Sequence, residues 1–599
     1  MAVNYAGGTS PASIIHSHWV STKAGATLYH PTFDEVKRIS DTVGALSEAC
    51  GARFNSFAPA GWSAGHAPTD QGGKRPLLPF YRDILVDMET PVSAYCKTAR
   101  GPYSFLLESV AGGERIARYS FIGIDPYMVM THHGDKVTLR SIQGAEEGAG
   151  KLTPLRQGLV GASACLRPVS LPPSSCYDPL EVIQAELGQY RLIAPEGVSH
   201  DELPRFHGGA VGYLAYESVA RFERLPVPEK NELGLPLAVF CFTETVLVFD
   251  HLKHRVRVVT HLHLDAPDLE AEYQRGLAII DDVQQRLQQP VRLPEEPPPI
   301  HDADALQVVS NRTRSEFEGM VRRSIEYIRA GDIFQVVPSQ RLSRHVNAAP
   351  FTVYRALRAI NPSPYMFYLD LHDFHIIGAS PELLVRVEDG EVTIHPIAGT
   401  RARGADRQSD LQLEEELKND PKERAEHVML VDLARNDVGR VSTPGSVQVS
   451  QFMEVERYSH VMHLVSNVTG QLRSDVTPYD ALRSGFPAGT VSGAPKIRAM
   501  EIISELEEEQ RGVYAGAVGY FSHSGNLDTA IALRTMVIKN GRAYIQAGSG
   551  IVADSDPGEE YQESMNKARA LLRALDEAED IASMERRTEA SSRPYQPRG

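Results

Sequence analysis

Glu423 and Glu426 lie three residues apart, and Glu560 and Glu563 repeat that spacing. The first pair falls in Lys422–Arg435, where Val428, Leu430, Val431 and Leu433 read as helical, and the second in a helix running through Lys567 to Leu575. Each pair therefore shares one helix face. Two facing helices of this kind can hold an oxygen-ligated divalent cation. Mg²⁺ suits them because it keeps waters and binds through one or two carboxylates plus an anionic ligand. Spacing alone also fits two solvated faces. His460 and His463 are likewise three apart, more often a packing or surface arrangement than a metal site, and H-E-x-x-H is absent. Gly489-Thr-Val-Ser-Gly493-Ala-Pro-Lys496 has the wrong spacing for a P-loop and no Ser or Thr after the lysine, so it is no NTP site. Gly548-Ser-Gly550 lacks the third glycine of a dinucleotide fingerprint. Glycines this close still admit an anion to backbone N–H groups, with two ordinary turns as the alternative.

The elements that must position these residues can be placed coarsely. Residues 1–30 are low in charge, as in a frayed terminus, and a helix starts over 31–40 with Thr32 as cap. Residues 51–76 are Gly- and Pro-rich and read as a surface insertion. Tyr103–Leu107, Ala210–Tyr216 and Val239–Phe249 are apolar or alternating segments between Gly and Pro punctuation, which predicts largely antiparallel sheet over 82–260. Prolines at 290, 294 and 297–299 mark 289–303 as an extended linker or crossing strap. Arg314–Ala330 has helical apolar spacing and Gly331 ends it. The expected divisions are an N-terminal extension (1–80), an N-terminal region (81–288), the linker, a catalytic region (304–575) and a polar tail (576–599), disordered from about 582.

The chain has 599 residues, 61 Lys+Arg and 77 Asp+Glu, a formal charge of −16. That balance argues against nucleic acid, whose binding draws on clustered Lys and Arg, and points to small-molecule chemistry. An anionic substrate would need a bound cation or a few placed basic residues. The five cysteines are spread out with no C-x-x-C pair, so neither a disulfide framework nor a zinc site is expected. No apolar run of ~18 residues occurs, which excludes a membrane helix, and a reducing, cytoplasmic location is expected.

Taken together, several segments resemble the chorismate-utilising enzymes, most closely the large (component I) subunits of anthranilate synthases. They run in order: 106–109 (Leu-Leu-Glu-Ser), 331–339, 361–367, 378–382, 396–400 (Pro-Ile-Ala-Gly-Thr), 420–427 leading into 432–437, 489–496, and 548–567. The resemblance implies an α/β (α+β) fold in which two large antiparallel sheets form a sandwich covered by helices. It implies that Glu426 and Glu563 ligate Mg²⁺ directly, with Glu423 and Glu560 in support. Chorismate would then be bound by Tyr514, Arg534, Thr490, Gly548, Gly550, Lys567 and Gly399, with Thr400 in the remaining pocket. Glu382 matches a general acid for the departing 4-hydroxyl, a role needing a raised pKa. His463 matches the histidine associated with pyruvate elimination.

Two positions discriminate within the resemblance. Relatives that add water place a lysine base at Gln335, which ammonia does not need. Aminodeoxychorismate synthases typically carry a lysine at Ala398, able to attack the ring covalently. What remains is amination at C2 and loss of pyruvate to give anthranilate, with release of the amino-deoxy-isochorismate intermediate as the rival. No cysteine sits in the Gly-rich turn of a glutaminase, so ammonia is expected from a separate glutamine amidotransferase subunit, in a heterotetramer of two large and two small subunits. Glu108, Ser109, Pro364, Tyr365, Met366 and Tyr520 resemble a site for L-tryptophan as feedback inhibitor. The basic residue expected after Ser109 is either Arg115 or Arg118.

Overall fold

The computed structural model describes residues 29–49, 73–85, 88–110, 118–142, 178–195, 203–300, 304–457 and 461–592. Two large, mainly antiparallel sheets of 12 and 11 strands dominate the described residues. Strand alternation explains the layering, because successive side chains leave opposite faces of a sheet. In Ala238–Thr243, Val239 and Cys241 enter the core between the sheets, whereas Ala238, Phe240 and Phe242 enter the core under the helices of the second sheet. Phe105 and Leu106 divide in the same way between the central core and the helix-covered face of the first sheet. Helices on both outer faces complete the expected sandwich.

The regions on either side of the linker do not form separate layers. Strand Tyr365–Asp370 pairs with Ser104–Glu108, and Ala517–Ser522 pairs with Gly209–Leu214, so both sheets run continuously through both regions. The apolar stretch 239–249 is two strands, not one. Ala238–Thr243 lies in the second sheet and Val246–Asp250 in the first, the chain crossing between them at Glu244 and Thr245. Residues 290–300 carry no regular secondary structure, and Glu296 takes the Ala349 amide at 2.7 Å ahead of helix Pro350–Ile360. Helix Arg314–Ala330 begins at a Thr313–Glu316 capping box and ends at Gly331 with φ 87°.

The polar tail expected from 576 is instead the end of helix Pro557–Ser592. Ala578 and Ala582 are fully buried, Asp576 pairs with Arg344 at 2.8 Å, and Glu585 pairs with Arg355 at 3.0 Å. Its polar composition hid a narrow alanine stripe that needs a partner helix to become visible. The last seven residues, most of the 51–76 insertion, Arg115 and His460 lie outside the described residues. No helix among the described residues is long and apolar enough to cross a membrane.

Two glycines face aromatic rings across the first sheet. Gly123 is opposite Phe105 and Gly378 opposite Phe367, and a Cβ at either glycine would fall 2.0 or 2.1 Å from the ring. Replacing Gly378 by Ala should therefore cost about 1–3 kcal/mol by overpacking. Urea unfolding of G378A against the parent protein measures it.

Candidate functional site

Glu382 follows strand Phe374–Ser380 and is only 7 % exposed. Burial pushes its carboxyl up to about 8, although the Thr490 hydroxyl, Lys567 and Arg534 all act in the opposite sense. Thr490 Oγ1 is buried and otherwise without a hydrogen-bond partner among the described residues. At neutral pH Glu382 therefore keeps a proton that it can donate.

His463 comes from the long strand Val461–Gln471 and meets strand Ile397–Ala402 through its ring. Its Nδ1 donates to Gly399 O at 2.8 Å, with Thr400 Oγ1 at 3.1 Å. That hydrogen bond leaves the lone pair on Nε2, and burial lowers the pKa so that the ring stays neutral. The pair Glu382 and His463 thus combines a protonated acid with an unprotonated base, their environments having driven the two pKa values past each other.

Gln335, in strand Gln335–Val336, pairs with Gly493–Ala494 beside Thr490. Val336 and Ile551 exchange backbone hydrogen bonds, which brings Gln335 to Gly550, and a Cβ on Gly550 would fall 2.9 Å from Gln335 Nε2. Gly548 ends strand Arg542–Gly548, and its carbonyl accepts from Lys567 Nζ at 3.0 Å. Tyr514 is buried against the Gly548 backbone, and burial raises its hydroxyl to about 12. Segments 335–336, 493–494 and 548–551 and Lys567 thus come together.

The carboxylate pairs sit on helices Pro421–Gly439 and Pro557–Ser592. Asp420 caps the first by accepting from the Lys422 and Glu423 amides. Burial raises the Glu426 carboxyl; Lys422 opposes this, and Glu423, Glu563 and Glu560 each push it further up. Burial likewise raises Glu560, which accepts from Ser555 Oγ at 2.7 Å. No group of three His, Cys, Asp or Glu side chains among the described residues has metal-holding geometry. The donor set still suits a hard divalent cation, since all four donors are carboxylates and the other three raise the proton affinity of Glu426. Two of the four are held by cations of the chain itself. Lys567 pairs with Glu563 at 2.8 Å, and Arg401 pairs with Glu423 at 3.0 Å. Gly399 is required beside this pair, because its φ is +67° and a Cβ would lie 3.0 Å from Glu423 Oε2.

A second site, a cavity of about 80 Å³, lies between the two sheets and is lined by Glu108, Ser109, Pro364, Tyr365, Met366 and Tyr520 among others. Arg118 lines it as well, while Arg115 lies outside the described residues. Ser109 Oγ is buried without a hydrogen-bond partner among the described residues. Glu108 accepts from Arg358 Nε at 3.0 Å and from the Tyr354 hydroxyl.

Several residues of both sites escaped sequence reasoning. Arg386 and Asp528 face the second cavity, paired at 3.0 Å, and Arg386 donates to the Tyr365 hydroxyl at 2.8 Å. The available signal was a single charge within the otherwise apolar run 383–387. Arg401, which also holds Asp420 at 2.7 Å, gave no signal beyond its place after Thr400.

Residues 174–573 match the chorismate binding enzyme family. Anthranilate synthase component 1 of Acetivibrio thermocellus is 46% identical over 508 residues, covering 84% of this chain and 96% of that protein. The solved structure of anthranilate synthase component I from Streptococcus pneumoniae TIGR4 superposes with a TM-score of 0.61 at 37% identity, covering 82% of this chain and 99% of that one. MenF, the menaquinone-specific isochorismate synthase from Escherichia coli, shares the fold at 17% identity with a TM-score of 0.59, covering 90% of this chain and all of its own.

Proposed function

The chain belongs to the chorismate binding enzyme family, among the anthranilate synthase component 1 proteins, and we propose that it converts chorismate and ammonia to anthranilate and pyruvate. The observation that carries this reading is Glu382, a buried carboxyl protonated up to about pH 8 with Thr490, Arg534 and Lys567 around it. Arg534 and Tyr514 hold the enolpyruvyl carboxylate, the guanidinium gripping it in bidentate fashion. Gly548 and Gly550 let backbone amides approach, and Lys567 adds positive charge beside them. As ammonia attacks C2, Glu382 gives its proton to the 4-hydroxyl, which leaves as water. His463, neutral and with Nε2 as acceptor, assists the proton loss that accompanies departure of pyruvate. Its presence beside Thr400 favours completion to the aromatic product over release of the amino-deoxy-isochorismate intermediate.

Glu426 and Glu563 would hold Mg²⁺, supported by Glu423 and Glu560. Bound there, the ion supplies Lewis-acid polarisation and a positive centre for the ring carboxylate. Ammonia comes from a separate glutamine amidotransferase subunit, in a cytoplasmic heterotetramer. Consistent with that division, burial raises the Cys96 thiol to about 11 and raises Cys241 further, the reverse of an activated nucleophile. Purified protein given chorismate, Mg²⁺ and an ammonium salt at mildly alkaline pH should produce anthranilate fluorescence. Its absence even with the glutaminase subunit added would overturn the proposal.

The second cavity is read as the site for L-tryptophan. Glu108 would meet the amino group, the unpartnered Ser109 hydroxyl would add a hydrogen bond, and Tyr365, Met366 and Tyr520 would enclose the indole. Glu108→Gln should weaken tryptophan binding about 10–100-fold, the loss of a charge-assisted hydrogen bond, as titration calorimetry would measure.

A further inference from the structure

Arg511 is 2 % exposed, and none of the roles above uses it. Its guanidinium makes four hydrogen bonds. Nε and Nη2 donate to the two oxygens of Glu507 at 2.8 and 2.6 Å, Nη1 donates to Val491 O at 2.8 Å, and Nη2 also donates to Val337 O at 2.6 Å. Val491 follows Thr490, and Val337 lies two residues beyond Gln335, so one side chain clasps the backbones of both pocket segments. Glu507 tightens the second of them by accepting from Ser339 N and Oγ at 2.8 Å each. The guanidinium also stands 4.6 Å from the Tyr216 ring centroid and 5.5 Å from that of Tyr514.

The main chain at Arg511 is anchored from the other side of the linker. Glu217 accepts the Arg511 amide at 2.6 Å and the Gly512 amide at 3.1 Å. A planar fork with five donors can join a carboxylate to two carbonyls at fixed angles, which an ammonium cannot reproduce.

We propose that Arg511, seated on Glu507 and backed by Tyr216, is a positioning residue that sets the relative placement of Thr490, Gln335 and Tyr514 in the chorismate pocket. The proposal rests on the reading of that pocket given above. Misplacement of substrate-holding groups by about 1 Å is enough to cost ~10²-fold in rate.

The test compares R511K and Y216L with the parent protein for chorismate KM, ammonia KM, kcat and tryptophan binding. R511K should raise KM for chorismate and lower kcat, together lowering kcat/KM about 10²-fold, with ammonia KM and tryptophan affinity unchanged. Y216L removes only the aromatic backing and should lower kcat/KM for chorismate about 3–10-fold. A fall in kcat at constant chorismate KM would mean a smaller folded fraction and would overturn the proposal. If R511K does not fold, Y216L decides alone, and chorismate kinetics within twofold of the parent overturn it. Hydrogen exchange of segments 335–339 and 489–493 separates this idea from the activity itself. Should the parent make no anthranilate, faster exchange in both segments of Y216L still supports the clasp, and unchanged exchange rejects it.

Discussion

Glu382→Gln should lower anthranilate formation by about 10²–10⁴-fold, the usual contribution of a general acid, while chorismate still binds. Gln fills the same volume but cannot give a proton to the departing hydroxyl. Two pH effects accompany this loss. In the parent protein, the rate corrected for free ammonia should fall as pH rises through about 8, because Glu382 then no longer carries the proton. The stability effect has a definite sign. The folded-state pKa lies above the ordinary 4.5, so the folded protein holds this proton more tightly than the unfolded chain does. Below pH 4.5 both states are protonated and no penalty exists; as pH rises toward 8 the cost of burying the charge grows to its full value. E382Q should therefore melt close to the parent at pH 4 and above it at pH 9. Equal melting temperatures at both pH values would show that burial does not hold the proton on Glu382.

Glu426→Gln and Glu563→Gln should each lower kcat/KM for chorismate about 10²-fold or more, since several kcal/mol of charge stabilisation depend on the ion they are proposed to hold. Titration calorimetry with Mg²⁺ alone should lose its binding heat in both variants, a readout independent of turnover. The two need not behave alike in the metal-free protein. Glu426 is pushed up by burial and further by three neighbouring carboxylates, so removing its charge relieves both and should raise the metal-free melting temperature. Glu563 is paired with Lys567, so its removal leaves that lysine to Gly548 O and yields no such gain. Undiminished Mg²⁺ heat in E426Q would reject the assignment of the ligands.

Much of this was legible in the chain because the signals are local. The i, i+3 glutamate pairs, the Thr313–Glu316 capping box, Gly331 and the apolar alternation each depend on a few neighbouring residues, and helix and strand periods follow from backbone geometry. The two-sheet architecture and the proposed grouping of Glu382, Thr400, His463, Thr490 and Tyr514 were legible only through ordered motifs carried by resemblance, since nothing local relates residues so far apart. Where local rules conflicted with distant packing, they misled. The 576–592 segment is polar by composition, yet it is helical because Ala578 and Ala582 lie in the core that also holds residues of helix Pro350–Ile360. The 239–249 run is apolar on either side of Thr243-Glu244-Thr245, and its two halves belong to different sheets.

The sequence by itself determined which residue types are present for the chemistry: carboxylates on helices, glycines where backbone must approach, a histidine inside a strand and a glutamate just after one. Only the tertiary structure decided their protonation and partners. Glu382 holds its proton because folding removes it from water. His463 presents Nε2 as an acceptor because Gly399 O, across the sheet, accepts the hydrogen bond from its Nδ1. Arg511 clasps the pocket because Glu217, distant by 294 positions, receives its amide. Desolvation and long-range hydrogen bonds are properties of packed neighbours, and no linear spacing encodes them.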